Sequence, residues 1–277
     1  MGYPTPCMPE LPEVETIVRG LAATTIGKRI VRADVRLAKI AVSKAGIDFR
    51  RTIEGAVVVA TRRRGKYAIL ELDSGKSLVT SLRMTGRLVV QGAGEPDFPG
   101  THVVLWFADG TRLSFADLRT FGRMRLVETG EAWDQKLGIE PFSSGFTAEA
   151  FMGMLAGRTT PIKVLLLDQR RVAGIGNIYA CEALWEARIR PSRPAKALTK
   201  PAIRRLHHAI VDVLQRAIVM RGSSVDDYVD AGGLRGGFQN VLSAYGRLGE
   251  PCVRCGSPIV RTVLGQRGTW WCRACQR

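Results

Sequence analysis

Four cysteines toward the C-terminal end carry the most explicit chemistry in the chain: Cys252, Cys255, Cys272 and Cys275 form the pattern Cys-x2-Cys-x16-Cys-x2-Cys. Each Cys-x-x-Cys pair can present two sulfurs to one ion, and the intervening residues, Gly256 and Gly265 among them, can fold as a hairpin that returns the second pair to the first. The expected ion is one zinc. Four thiolates leave no open position for water or substrate, so the metal is expected to be structural and any catalysis to lie elsewhere. Disulfides at these positions would need an oxidising compartment. Within the finger, Arg254, Arg261, Arg267 and Arg273 supply positive charge and Trp270-Trp271 supply apolar cover. A hairpin projecting Arg267 would reach a phosphate; plain solvation is the alternative for each of these arginines.

A second constellation is Gly174-Ile175-Gly176-Asn177, ahead of a helical pattern that starts at Ile178. Backbone N–H groups and an Asn cap at a helix N-terminus make a ready phosphate site, although the same residues also make an ordinary turn and cap. Imidazole chemistry has little to draw on. The histidines are His102, His207 and His208, and the adjacent pair falls in an amphipathic helical pattern, where a surface role is the simpler reading.

The elements that must hold these groups are legible from periodicity. Val14, Ile17, Val18 and Leu21 recur at helical spacing, which predicts one amphipathic helix from Pro12 to about Thr25. From Lys28 to about Val127 the pattern changes to short β-rich runs: RIVRADVR, AVVVATRR, YAILEL, SLVTSL, RLVV, HVVLWF and TRLSF, with Asp109-Gly110 as a hairpin signal between the last two. Seven or eight closely spaced strands predict an antiparallel sandwich or barrel. Helical periods return over Thr147–Ala156, Pro161–Asp168, Ile178–Ala187 and Pro201–Met220. Residues 221–241 are Gly-rich and read as a mobile, functional loop.

With 277 residues, 45% of them hydrophobic, the chain can bury a sizeable core spread over about two domains, which excludes a disordered protein. No apolar run approaches the roughly 18 residues of a membrane span, and the N-terminus carries prolines and acids in place of a secretory signal, so a soluble intracellular protein is expected. The net charge is +16, and it is unevenly placed: residues 1–157 carry +4 and residues 158–277 carry +12. A basic half of this kind attracts a polyanion, nucleic acid being the commonest in a cell; a solvated basic face is the alternative.

The stretch Met8-Pro9-Glu10-Leu11-Pro12-Glu13-Val14-Glu15-Thr16 resembles the N-terminus of the formamidopyrimidine-DNA glycosylases. The resemblance continues through Lys66-Tyr67, Met84-Thr85-Gly86, Asp117-Leu118-Arg119-Thr120-Phe121-Gly122, Gly174-Ile175-Gly176-Asn177-Ile178-Tyr179-Ala180, Ala244-Tyr245-Gly246-Arg247 and the zinc finger. It thus covers nearly everything from Met8 onward. It implies an α+β protein of two domains: an N-terminal helix plus antiparallel β-sandwich, then a helical (helix-two-turn-helix) domain with a β-hairpin zinc finger. The expected boundaries are a leader at 1–8, a catalytic domain at 9–137, the helical domain at 138–241 with a lesion loop at about 221–241, and the finger at 242–277.

By the same resemblance the protein is a bifunctional glycosylase and lyase for oxidised purines in damaged double-stranded DNA, a cytoplasmic, nucleoid-associated monomer. Pro9 would attack the anomeric carbon with its secondary amine, and Glu10 would be the general acid/base. An α-amino group with a pKa near 8 is roughly ten per cent unprotonated at pH 7, against well under a tenth of a per cent for an ordinary lysine. Lys66 and Arg267 complete the catalytic set as phosphate contacts, with Asn177 gripping the strand beside Arg267. Met84, Arg119 and Phe121 would fill the hole left by an extruded base. From the residues alone, Met84 and Phe121 read more simply as core, Glu10 as a helix N-terminal acid, and Arg62-Arg63-Arg64 as a solvated strand end.

One departure bears on the chemistry. With residues 1–8 in place the Pro9 nitrogen is a tertiary amide and cannot act as a nucleophile, so the leader is expected to be absent from the active protein, with Met8 as the functional start. A smaller departure is Gly236-Gly237-Phe238-Gln239, where family members often carry an aromatic before the phenylalanine; Arg119-Thr120 replaces a frequent Arg-Arg pair. The competing readings are an oxidised-pyrimidine glycosylase of the endonuclease VIII type and, if the leader is retained, a non-catalytic zinc-containing DNA-binding protein. An RNA-binding zinc protein is disfavoured because no RNA-recognition aromatic signature is evident.

Overall fold

The computed structural model describes residues 8–225 and 228–277; residues 1–7, and with them most of the expected leader, lie outside these. The described chain divides into two compact units, residues 8–135 with 221–237 and residues 136–220 with 238–277. The Gly-rich stretch that follows the helices is therefore mostly part of the first unit.

The first unit opens with α1 (Leu11–Thr25), whose Val14, Ile17, Val18 and Leu21 are buried as the spacing predicts. Eleven strands, five further α-helices and two 3-10 turns follow in the whole chain among the described residues. In this unit β1 (Ile30–Val35), β2 (Ala41–Val42), the short helix α2 (Phe49–Ile53), β3 (Val58–Arg64), β4 (Tyr67–Leu72), β5 (Lys76–Ser81), β6 (Gly86–Gln91), β7 (Thr101–Phe107), β8 (Arg112–Asp117) and β9 (Arg123–Glu128) make two sheets. Their orders are β1-β7-β8-β6 and β2-β9-β5-β4-β3. All pairings are antiparallel except the two-residue match of β2 with β9.

Strand alternation decides which face meets which layer. In β4, Ala68, Leu70 and Leu72 face a core shared with Leu88, Leu105, Phe115 and α1, while Ile69 on the opposite face packs with Val79, Val127, Tyr67 and Trp133. The Asp109-Gly110 signal marks the β7–β8 turn, with Gly110 at φ 84°. Lys28 and the Thr111 hydroxyl and N–H hold the Asp109 carboxyl down to about 2. Strand β9 escapes a hydrophobic-run search because Arg123 and Arg125 alternate with its apolar residues, and α2 escapes because it is one capped turn, started by the Asp48 side chain.

The second unit contains α3 (Ala148–Leu155), α4 (Ile162–Leu167), α5 (Asn177–Glu186) and α6 (Lys200–Val219), then the hairpin β10 (Ile259–Leu264) and β11 (Arg267–Cys272). Thr147 and Thr199 cap α3 and α6 with their side chains. Helix α5 packs on both α6 and β11, so it is the spine on which the finger rests.

A buried acid fixes that joint. Glu182 on α5 accepts the backbone N–H groups of Ala244 and Tyr245 on Oε1, at 2.9 and 2.8 Å, and that of Ser243 on Oε2 at 2.8 Å. Burial pushes its carboxyl up while the three donors pull it down. In Glu182→Gln the amide oxygen can keep two of these donors, but the NH2 must then face the Ser243 N–H. We expect a loss of about 1–3 kcal/mol, read as a lower midpoint in denaturant unfolding.

Candidate nucleic-acid interface and active site

Pro9 and Glu10 sit at the head of α1, where the helix leaves its first N–H groups without intrahelical partners. Glu10 is the N-cap and closes a reciprocal capping box with Glu13, which accepts the Glu10 N–H on Oε2 at 2.8 Å. Glu10 and Glu13 are 1% and 2% exposed, so the helix-cap role read from the sequence is real for both and coexists with any catalytic one. The second oxygen of Glu13 reaches elsewhere: Oε1 accepts the Ser223 N–H at 2.7 Å, and the Tyr228 hydroxyl donates to the Glu13 carbonyl at 3.3 Å. Burial and the neighbouring Glu13 raise the Tyr228 hydroxyl well above the usual phenol range, so it stays a donor.

The Gly-rich segment is thereby moored to the head of α1. Ser224 Oγ donates to the Tyr228 carbonyl and accepts the Gly236 N–H, and Asp230 accepts the N–H groups of Gly232 and Leu234. A Cβ on Gly236 would lie 2.3 Å from the Gly222 carbonyl oxygen, so the two ends of the segment touch backbone to backbone. The described residues of the segment are hydrogen-bonded among themselves and to α1, because glycines allow the close approach and Asp230 and Ser224 satisfy the turns.

Lys66 occupies the two-residue β3–β4 turn, where Gly65 at φ 55° supplies the left-handed first position of a primed turn. Strand β3 runs antiparallel to α1: Thr61 Oγ1 donates to the Val18 carbonyl, and farther along Arg63 pairs with Glu15 at 2.9 Å. The turn carrying Lys66 is therefore delivered toward the Pro9-Glu10 end of the helix. The solvated reading of the triple-arginine run holds for Arg62, which pairs with Glu71 and stays half exposed, and is corrected for Arg63, which pairs with Glu15, and Arg64, which pairs with Asp134 at 2.7 Å, both mostly covered.

Met84 lies in the β5–β6 connection, and Arg119 and Phe121 in the β8–β9 connection of the same unit. Phe121 is 52% exposed and the Arg119 guanidinium stands 5.1 Å from its ring centre, so the core reading of Phe121 fails. Met84 is half-buried. Asp117, which sequence reasoning passed over, links the two connections and is taken up below.

In the other unit, α5 starts one residue earlier than the pattern predicts, so Gly176 is the N-cap and Asn177 the first helical residue; no side-chain capping bond forms. The expected Asn cap is corrected, because Gly176 takes the extended cap position at φ −131°; the turn before it is braced by Gln169, which accepts the Gly174 N–H at 2.9 Å and donates to the Ile175 carbonyl at 2.7 Å. The Asn177 Oδ1 is buried without a hydrogen-bond partner among the described residues. Arg267 follows the β10–β11 turn, whose Gly265 and Gln266 both have positive φ, 55° and 60°, as a type I′ turn requires. Fully buried Lys163 of α4, also missed from sequence, donates to the Gly268 carbonyl and Thr269 Oγ1 at 2.8 and 2.7 Å and so props the strand just past Arg267.

The four cysteine sulfurs lie within 4.8 Å of one another. Tetrahedral coordination with Zn–S near 2.3 Å separates sulfurs by about 3.8 Å, and the Cys252–Cys275 and Cys255–Cys272 separations are 4.0 and 3.5 Å. The donor set fits one structural zinc ion. Outer partners orient it: Trp185 Nε1 donates to Cys252 Sγ at 3.4 Å, and Gln276 accepts the Cys272 N–H at 2.8 Å.

Three family models match: "Formamidopyrimidine-DNA glycosylase N-terminal domain" over residues 8–124, "Formamidopyrimidine-DNA glycosylase H2TH domain" over 137–229, and "Zinc finger found in FPG and IleRS" over 249–277. The formamidopyrimidine-DNA glycosylase of Pelotomaculum thermopropionicum is 44% identical over 98% of this chain and 99% of its own. A Lactococcus lactis relative of that name, solved in complex with DNA containing an abasic site, superposes with a TM-score of 0.90 at 35% identity, covering 97% of this chain and 99% of the other. A variant of the same protein, solved with DNA containing Fapy-dG, also gives 0.90 at 35% identity, covering 97% and 100%. No helix among the described residues is long and apolar enough to cross a membrane. On domain content, domain order and full-length similarity, this chain belongs to the formamidopyrimidine-DNA glycosylase family.

Proposed function

We propose that the protein is a base-excision-repair enzyme that removes oxidised purines, 8-oxoguanine and formamidopyrimidines, from damaged double-stranded DNA and then cleaves the strand as an abasic-site lyase. The observation that carries this reading is the full-length family similarity combined with Pro9-Glu10 at the head of α1, in the segment where the family match begins. The Pro9 amine attacks C1′ of the lesion nucleotide, the N-glycosidic bond breaks, and its electron pair leaves with the base. The product is an iminium between Pro9 and the sugar. A secondary amine gives an iminium with no N–H to lose, so the charge persists and acidifies C2′ for elimination of the strand phosphate. Glu10 protonates the opening sugar and then relays protons during elimination.

Lys66 serves twice in this scheme. It neutralises a phosphate, and a cation near the Pro9 amine favours the amine's uncharged, nucleophilic form. Asn177 and Arg267 hold backbone phosphates, and Met84, Arg119 and Phe121 occupy the space of the extruded base. The zinc when bound supplies no chemistry of its own; it fixes the hairpin that presents Arg267. The enzyme acts as a monomer, without a residue from a second copy in this scheme, and in a bacterial cell it works in the cytoplasm on the nucleoid.

The test compares single-turnover excision of 8-oxoguanine and thymine glycol from otherwise identical duplexes, with strand nicking scored at a preformed abasic site. Faster excision of 8-oxoguanine with nicking is the expected result. A preference for thymine glycol would support the endonuclease VIII-type reading, and binding without nicking the non-catalytic one.

A further inference from the structure

In the motif Asp117-Leu118-Arg119-Thr120-Phe121-Gly122 the scheme above uses only Arg119 and Phe121, and the charged residue it leaves without a task is buried: Asp117 is 1% exposed. Its carboxylate is spent on two separate connections. On Oδ1 it accepts the Thr85 hydroxyl at 2.5 Å and the Arg119 N–H at 3.2 Å, and on Oδ2 the Gly122 N–H at 2.7 Å. The Arg119 N–H is shared with Thr85 Oγ1 at 3.1 Å, which closes a small ring from the residue after Met84 to Arg119 itself. The main chain of Asp117 is held as well: its N–H goes to the Gly100 carbonyl at 2.9 Å, and its carbonyl meets His102 Nε2 at 3.0 Å.

The connections so tied are unusually shaped. Thr120, between Arg119 and Phe121, sits at φ 55°, and Arg83, just before Met84, at φ 57°, both in the left-handed region that costs a side-chain-bearing residue free energy. A Cβ on Gly122 would lie 2.6 Å from the Phe115 ring of β8, and one on Gly86 2.2 Å from the Leu82 carbonyl oxygen, so the first connection is pressed against its sheet and the second closes backbone to backbone on its own start. Arg119 and Phe121 nevertheless remain exposed. The result is two strained connections, one carrying exposed Arg119 and Phe121 and the other half-buried Met84, tied together by a single carboxylate.

We infer that Asp117, through Thr85, is a positioning residue that holds Met84, Arg119 and Phe121 as one preformed wedge, so that base extrusion meets a rigid tool and does not have to order three side chains at once. This rests on the void-filling role proposed for those three residues. The carboxylate is needed because every group facing it is a donor. An Asn side chain with its oxygen toward Gly122 would turn its NH2 toward Thr85 and the Arg119 N–H, and the ring could close only by leaving one donor unpaired.

The test measures single-turnover excision of 8-oxoguanine from two duplexes, one with the lesion paired to cytosine and one with it bulged, with no partner nucleotide and little stacking to overcome. Variants Asp117→Asn and Thr85→Val are compared with Phe121→Ala, and Thr85→Ser retains the hydroxyl as a rescue. Asp117→Asn and Thr85→Val should slow the paired substrate about tenfold and the bulged one much less, with Thr85→Ser close to the parent protein. Equal slowing on both substrates, or none, overturns the inference while Phe121→Ala still discriminates between them. If Phe121→Ala itself does not discriminate, the void-filling role is wrong and the inference falls with it. Should Asp117→Asn fail to fold by its thermal transition, Thr85→Val, which removes one hydroxyl, decides the matter.

Discussion

Protein whose chain begins at Pro9 will form a borohydride-stable cross-link to an 8-oxoguanine duplex through the Pro9 nitrogen, and protein that retains residues 1–8 will not. The difference follows from bonding at one atom. As a chain terminus, Pro9 carries a secondary amine with roughly ten per cent in the free form at neutral pH; inside the chain the same nitrogen is a tertiary amide whose lone pair is delocalised. The terminal α-amine then belongs to residue 1, eight residues along the chain from Pro9, and every lysine has a free fraction smaller by a factor on the order of 10². We expect the trapping rate to fall by about 10³ or more, with duplex binding kept. Peptide mapping of the cross-link gives the readout. A cross-link of full yield in protein shown by intact mass to keep residue 1 would end the proline mechanism. A Pro9→Gly protein with a free terminus refines the test: its imine can lose a proton and become neutral, so elimination should slow more than base release.

The second large effect concerns the metal. Stripping zinc, or replacing Cys272 by Ser, should collapse the β10–β11 hairpin and abolish tight duplex binding. Structural zinc contributes apparent free energies of about 10–16 kcal/mol in isolated finger peptides, more than the remaining contacts of a two-stranded hairpin can supply. The loss should be visible without DNA. Three tryptophans report on it: Trp185 donates to Cys252, and Trp270 and Trp271 precede Cys272 in β11, the Trp270 ring centre lying 4.6 Å from that of Tyr245. Their near-ultraviolet dichroism should disappear with the metal and return with added zinc. Unchanged dichroism and salt-dependent binding in metal-free protein would show that the hairpin folds on its own and that Arg267 needs no ion to be presented.

What could be read from the sequence was local. The four cysteines declare themselves because ligand spacing lies within short segments, α1 and α6 because an amphipathic face repeats every turn, and the β7–β8 hairpin because Asp109-Gly110 states its own turn chemistry. The family motifs named Pro9, Glu10, Lys66, Met84, Arg119, Phe121, Asn177 and Arg267. What the sequence concealed was partnership across distance. The three arginines of Arg62–Arg64 look alike as a run, yet their acids, Glu71, Glu15 and Asp134, come from three parts of the chain. Glu182, Lys163 and Asp117 each read as ordinary polar residues on an apolar element; their value comes from backbone groups brought to them only by folding. The same holds for residues 221–237, whose glycines suggested freedom and whose neighbours supply restraint.

That segment has a closed neck. Gly222 and Gly236 meet with no side chain between them, and just inside the neck Ser223 is tied to Glu13 beside the proposed nucleophile. Inside the neck, Tyr228 and Ala231 are buried in the same core as α1, and the Ala231 carbonyl accepts the Val90 N–H at 2.8 Å, whereas Gly232, Leu234 and Arg235 at the tip are exposed. The fold therefore separates inheritance into two compartments. The exposed tip at Gly232, Leu234 and Arg235 can drift toward a new lesion, while the neck, Tyr228, Ala231 and Glu13 keep the head of α1 unchanged; a lineage could alter what it repairs without re-evolving how it repairs.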